Sequence, residues 1–85
     1  MGRLSELPNI GKAVEEQLEQ VGVATPEQLR EIGAKEAWLK IQAIDPSACI
    51  QRLQGLEGAV RGIPKKLLPE AVKEDLREFY RRHKL

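Results

Sequence analysis

Residues 7–12 read Leu7-Pro8-Asn9-Ile10-Gly11-Lys12, and residues 29–33 read Leu29-Arg30-Glu31-Ile32-Gly33. Both obey Leu-x-x-Ile-Gly at an offset of 22 residues, and each precedes a stretch with helical spacing. The physical sense is a pair of helices joined by a tight turn. Ile plugs the hairpin, and Gly takes a backbone conformation closed to other residues. The helix after each glycine opens with backbone N–H groups that lack intrahelical acceptors and carry the positive end of the helix dipole. Such a turn can hold a phosphate oxygen without using a charged side chain.

Helical spacing continues outward from these turns. Val14, Leu18 and Val21 fall at i, i+4 and i+7, with Gly22 as C-cap. Thr25-Pro26-Glu27-Gln28 is a capping box with Pro at the first helical position, so a second helix opens there. It carries Leu29 and Ile32 and stops near Gly33, and a third helix over about 34–44 buries Ala37, Trp38 and Ile41. Asp45-Pro46 reads as the cap and first residue of a fourth helix, whose stripe is Cys49, Leu53, Leu56, Val60 and Ile63. Gly55, Gly58 and Gly62 lie in that stripe, each costing about 1 kcal/mol of helix propensity relative to Ala. Such costs point to a neighbouring backbone that approaches closely, or, for Gly62, to a helix end. A last helix over about 69–83 presents Val72, Leu76, Phe79 and Tyr80. The expected fold is all-α: a compact bundle of five or six short helices with tandem helix-hairpin-helix-like units. It forms a single domain over residues 1–85, with its core at about 4–80.

With 85 residues the chain has room for one small domain. Fourteen Lys and Arg against thirteen Asp and Glu leave a net charge of +1, so bulk charge does not mark a basic nucleic-acid binder. The balance is uneven along the chain. Residues 1–44 hold five Lys and Arg against seven Asp and Glu, a net of −2, and residues 45–85 hold nine against six, a net of +3. Cys49 is the single cysteine, so an intrachain disulfide, a zinc knuckle and a paired redox motif are excluded. No apolar run reaches signal-peptide or transmembrane length, and the expected location is the cytoplasm. One His, one Cys and three Ser or Thr form no catalytic set, and no Walker or dinucleotide-binding glycine loop is present. The sequence therefore predicts a non-enzyme with no catalytic residue, metal, cofactor or small-molecule substrate.

The hairpin stretch Leu7 to Lys12 resembles the loop of helix-hairpin-helix DNA-binding modules, whose pattern is apolar-Pro-Gly-Ile-Gly. Several blocks in order resemble, more specifically, the C-terminal domain of the TfoX/Sxy family of bacterial competence regulators. These are Leu7 to Gly11, Val21-Gly22-Val23 with Thr25, Leu29 to Ala34 with Glu36-Ala37, Leu56 to Ile63, and Leu68-Pro69. The resemblance spans about residues 4–76. It implies a compact helical domain, here in stand-alone form without the α/β domain that precedes it in longer relatives, and a link to control of DNA-uptake genes. Asn9 stands where DNA-binding hairpins prefer glycine, and the aromatic residue that the family often carries near Pro64-Lys65-Lys66 is absent. Asn tolerates positive φ better than most residues, so the turn is retained.

Two functional readings follow. In the first, Pro8, Asn9, Ile10, Gly11 and Lys12 hold DNA phosphate weakly and without base readout, with Lys65 and Lys66 as accessory basic contacts. In the second, the hairpin is only scaffold and a helical face meets a regulatory protein or a second copy of the chain. Glu31 disfavours the second loop as an anion site. Trp38 reads as core, Cys49 as a small buried hydrophobe, and His83 as solvated. Arg81, Arg82 and Lys84 read as last-turn cations that complement the helix dipole.

Overall fold

The computed structural model describes residues 3–84. They form four α-helices, α1 (Lys12–Gln20), α2 (Pro26–Ile44), α3 (Ile50–Arg61) and α4 (Glu70–His83), with short 3-10 helices at Leu4–Glu6 and Lys65–Leu67. The count is four rather than five or six, because the two helical stretches on either side of Gly33 join across a kink and are taken together as α2. Gly33 has φ 84 and ψ 163, a region open essentially to glycine alone. Helical geometry therefore stops at Gly33, as the sequence predicts, and a second helical stretch resumes at Ala34 across the kink.

The caps explain where the other helices begin and end. At the C-terminus of α1, the Val23 N–H donates to the Leu18 carbonyl at 2.8 Å and the Gly22 N–H to Glu19 at 3.1 Å. At the end of α3, Ile63 and Gly62 repeat this pattern onto Gly58 and Ala59 at 2.9 and 3.2 Å. Both are Schellman closures, which satisfy carbonyls the helix leaves without partners. Gly62 is thus a cap, and Ile63 lies in the loop beyond α3 rather than in its stripe. Thr25 Oγ1 accepts from the Gln28 N–H at 3.1 Å, the cap expected for α2, while Gln28 Oε1 accepts from the Ala24 N–H at 2.7 Å, one residue before the donor of a regular capping box.

Asp45 departs from expectation. It caps the C-terminus of α2, and α3 opens at Ile50 behind Cys49, so Pro46 is not helical. The Asp45 carboxylate instead accepts from the Ser47 N–H at 3.1 Å, from Ser47 Oγ at 2.5 Å and from Gln17 Nε2 at 2.9 Å. A local turn hydrogen bond competes here with helix initiation. The Cys49 correction follows from the same shift: as N-cap, its side chain is exposed rather than buried.

The core gathers the inward face of every helix: Leu4, Ile10, Leu18, Leu29, Trp38, Ile41, Leu53, Leu56 and Leu76 are buried, and Val14, Val72 and Phe79 pack against them. Trp38 sits at its centre with no exposed surface. Its ring meets Phe79 and Tyr80 edge-on at 6.1 and 5.7 Å, and its Nε1–H donates to the Cys49 carbonyl at 3.2 Å. One side chain therefore joins α2 to the start of α3 and to α4, with its polar atom satisfied as burial requires. At the far end of α4, Gln42 Nε2 donates to the His83 carbonyl at 2.8 Å, and the His83 ring lies 4.3 Å from that of Phe79. Arg81 and Arg82 pair with Glu78, as surface cations of a last turn.

Two predictions come from this packing. A Cβ at Gly58 would lie 2.7 Å from the Ile63 carbonyl and would overlap the Asn9 amide, whereas one at Gly55 would touch Asn9 Cβ at an ordinary 3.4 Å. Overpacking and lost hydrogen bonds outweigh the gain of about 1 kcal/mol in helix propensity, so Gly58→Ala is expected to destabilise by about 1–3 kcal/mol in urea unfolding. Gly55→Ala is expected to stay within about 1 kcal/mol of the parent in the same experiment. The second prediction concerns pH. Hydrogen bonds from Ser47 and Gln17, with the charge of Arg52, hold the Asp45 carboxyl below its ordinary range. The folded state then favours the carboxylate, so its stabilisation is complete above the unfolded-state value and disappears as pH falls through the folded one. Melting temperature should drop more steeply below about pH 4 in the parent than in Asp45→Asn.

Candidate nucleic-acid interface

The hairpin turn is built by Asn9, not by the glycine that follows Ile10. Asn9 has φ 69, the positive value a tight turn needs, whereas Gly11 has φ −91 and ψ −179, extended backbone open to any residue. The two Leu-x-x-Ile-Gly segments thus share a pattern and differ in conformation: Asn9 makes the first turn, Gly33 the second. Ile10 is buried, as a plug should be, and Pro8 is half-buried.

Asn9 also ties the turn to the rest of the fold. Its Nδ2 donates to the Ile63 carbonyl at 3.0 Å and to the Gly55 carbonyl at 3.3 Å, and its Oδ1 accepts from the Lys65 N–H at 3.1 Å. The absence of a Cβ on Gly58 leaves room for this amide. The close backbone approach that the glycine row implied is therefore the arrival of the hairpin turn and of residues 63–65 against α3. With three hydrogen bonds committed, the Asn9 side chain has a structural task.

Gly11 is the N-cap of α1; it is exposed and brings no side-chain hydrogen bond to the first turn. The N–H groups of Lys12, Ala13 and Val14 have no intrahelical acceptor at that position. Lys12 and Ala13 are exposed. Glu15, the acid of this first turn, accepts from the Ser5 N–H at 3.0 Å and so faces the N-terminal 3-10 helix.

Lys65 is brought to the hairpin through its backbone bond to Asn9, and Lys66 follows it in the same short helix, exposed. Sequence reasoning did not find Arg52. An open cleft of about 260 Å³ lies between the start of α1 and α3, bordered by Asn9, Ile10, Val14, Arg52, Gly55 and Lys65. Among the described residues, no carboxylate lines it. Arg52 is 35 residues from Gln17 in sequence, yet its guanidinium donates to Gln17 Oε1 and stands 4.0 Å from the Asp45 carboxylate. Nothing in the periodicity of α3 distinguishes this arginine from any other surface cation.

Among the described residues, no helix is long and apolar enough to cross a membrane. The model of the TfoX C-terminal domain matches residues 1–80. The structure is similar to an uncharacterized protein from Listeria monocytogenes, crystallised in a triclinic form, with a TM-score of 0.95 and 47% identity over 95% of this chain and 92% of that one. It is similar also to a protein of unknown function from Listeria monocytogenes in a tetragonal form, with a TM-score of 0.90 and 47% identity over 92% of this chain and 96% of that one. No curated protein matches the chain. Matched from its first block to the last turns of α4, the chain belongs to the TfoX C-terminal domain family.

Proposed function

We propose that this domain is a small, non-enzymatic regulatory module that holds DNA phosphate weakly at the start of α1, without reading base sequence. The observation that carries the reading is the open first turn of α1. Gly11 caps it without a side chain, Lys12 stands exposed beside it, and the one acid of the turn is engaged by Ser5. Free N–H groups at the positive end of a helix are suited to a phosphate oxygen. Pro8 and Ile10 shape the turn, Asn9 holds it in place, and Lys65 and Lys66 add positive charge on the adjoining segment.

The expected affinity is in the non-specific range of about 10⁻⁴ to 10⁻⁶ M, since the net charge of +1 supplies little long-range attraction. A cytoplasmic place and a part in regulating transcription or competence genes agree with the family resemblance and with phosphate contact of this kind.

The reading is tested by titrating isotope-labelled protein with a short duplex at low and then moderate salt. Amide shifts concentrated at residues 11–14 and 65–66 are expected, weakening steeply as salt rises. Gly11→Asp is the informative variant. Asp is a favoured N-cap, so helicity is retained, while its charge occupies the place of the anion and abolishes those shifts. Unchanged binding in Gly11→Asp, or no salt-sensitive shifts in the parent, overturns the proposal. The hairpin is then scaffold, and a regulatory protein or second copy of the chain is the partner to seek.

A further inference from the structure

The geometry points to Arg52 as a further phosphate-binding side chain of the same site, across the cleft from the hairpin turn, in an inference that rests on the DNA reading above. The cleft of about 260 Å³ has Ile10 and Val14 on the α1 side and Arg52 and Gly55 on the α3 side, with Lys65 at its border. Its two charged lining residues are both cations. The Asp45 carboxylate stands 4.0 Å from one Arg52 Nη, but it does not line the cleft and accepts its hydrogen bonds from Ser47 and Gln17.

Arg52 is half-buried and is held by Gln17 Oε1 through one Nη. A guanidinium carries five N–H donors, so a single side-chain amide leaves most of them for a ligand. Holding the long side chain in place before binding reduces the rotamer entropy lost when a ligand arrives. Planar donor pairs match the geometry of phosphate oxygens, which a lysine at the same place would meet only as a point charge. Asn9 keeps the two walls in register, because one amide bonds both Gly55 of α3 and Lys65. A DNA strand laid along α1 would thus meet a second cationic contact on α3.

The test is the salt dependence of duplex binding, together with the Arg52 Nε–H resonance of the unaltered protein. Each phosphate contact contributes about −0.9 to the slope of log K against log salt. Arg52→Gln is expected to weaken binding several-fold and to flatten the slope by about one contact, and the parent's Arg52 Nε–H signal is expected to move on titration. A merely structural arginine would change the melting temperature and leave the slope as it was. The parent resonance keeps the inference testable even where Arg52→Gln does not fold. Shifts at residues 11–14 with an immobile Arg52 signal overturn this inference alone. No duplex binding by the parent at low salt overturns both it and the DNA reading.

Discussion

The fold depends on one side-chain amide. Asn9 bonds the Gly55 carbonyl on α3 and both the Ile63 carbonyl and the Lys65 N–H in the loop beyond it, and it does so from the positive-φ position of the hairpin turn. Backbone groups 46 to 56 residues away in sequence thus meet on two atoms of a single side chain, Nδ2 and Oδ1. Asparagine alone among the common side chains offers a donor and an acceptor together at this reach, while tolerating a left-handed backbone. The arrangement also requires Gly58, since any Cβ there would displace the amide. The helix-propensity cost of that glycine is therefore offset by a junction between the turn and the helix.

Beneath the junction lies a conventional core with an aromatic centre. Trp38 is fully buried, its indole N–H is satisfied by Cys49, and Phe79 and Tyr80 close over it from α4. The break at Gly33 lets α2 change direction before presenting Ala34, Ala37, Trp38 and Ile41 to that core. On the other side, Gln17, Asp45 and Arg52 tie α1 to the connection between α2 and α3. The hairpin turn, Lys65 and Arg52 thereby share one edge of the molecule, and the phosphate-binding reading depends on that shared edge rather than on overall charge.

Much of the architecture was legible from local rules. Helical spacing located every helix, the Thr25 box and the Gly22 cap placed the turn between α1 and α2, and the Val72-Leu76-Phe79 stripe identified the inner face of α4. Misreadings arose where two local rules competed. Asp45-Pro46 satisfies the pattern of a helix start, but the Asp side chain closes a turn onto Ser47 and accepts from Gln17, so α3 begins at Ile50. With that start displaced, Cys49 moved from an interior register to an exposed cap. Gly11 and Gly33 looked equivalent in sequence, yet φ is negative at one and positive at the other, because Asn9 had already made the first turn.

Periodic and local features are encoded directly in the sequence: an all-α chain, the Thr25 and Gly22 caps, the apolar faces of α1 and α4 and the burial of Trp38. Each of these follows from interactions among residues a few positions apart, and spacing reports such interactions directly. Long-range packing, by contrast, sets Asn9 against Gly58, Lys65 beside the hairpin and Arg52 in the same cleft. Lys65 is 56 positions from Asn9, and Arg52 is 35 from the Gln17 that holds it; no local pattern encodes which distant backbone will fill the space a missing Cβ leaves.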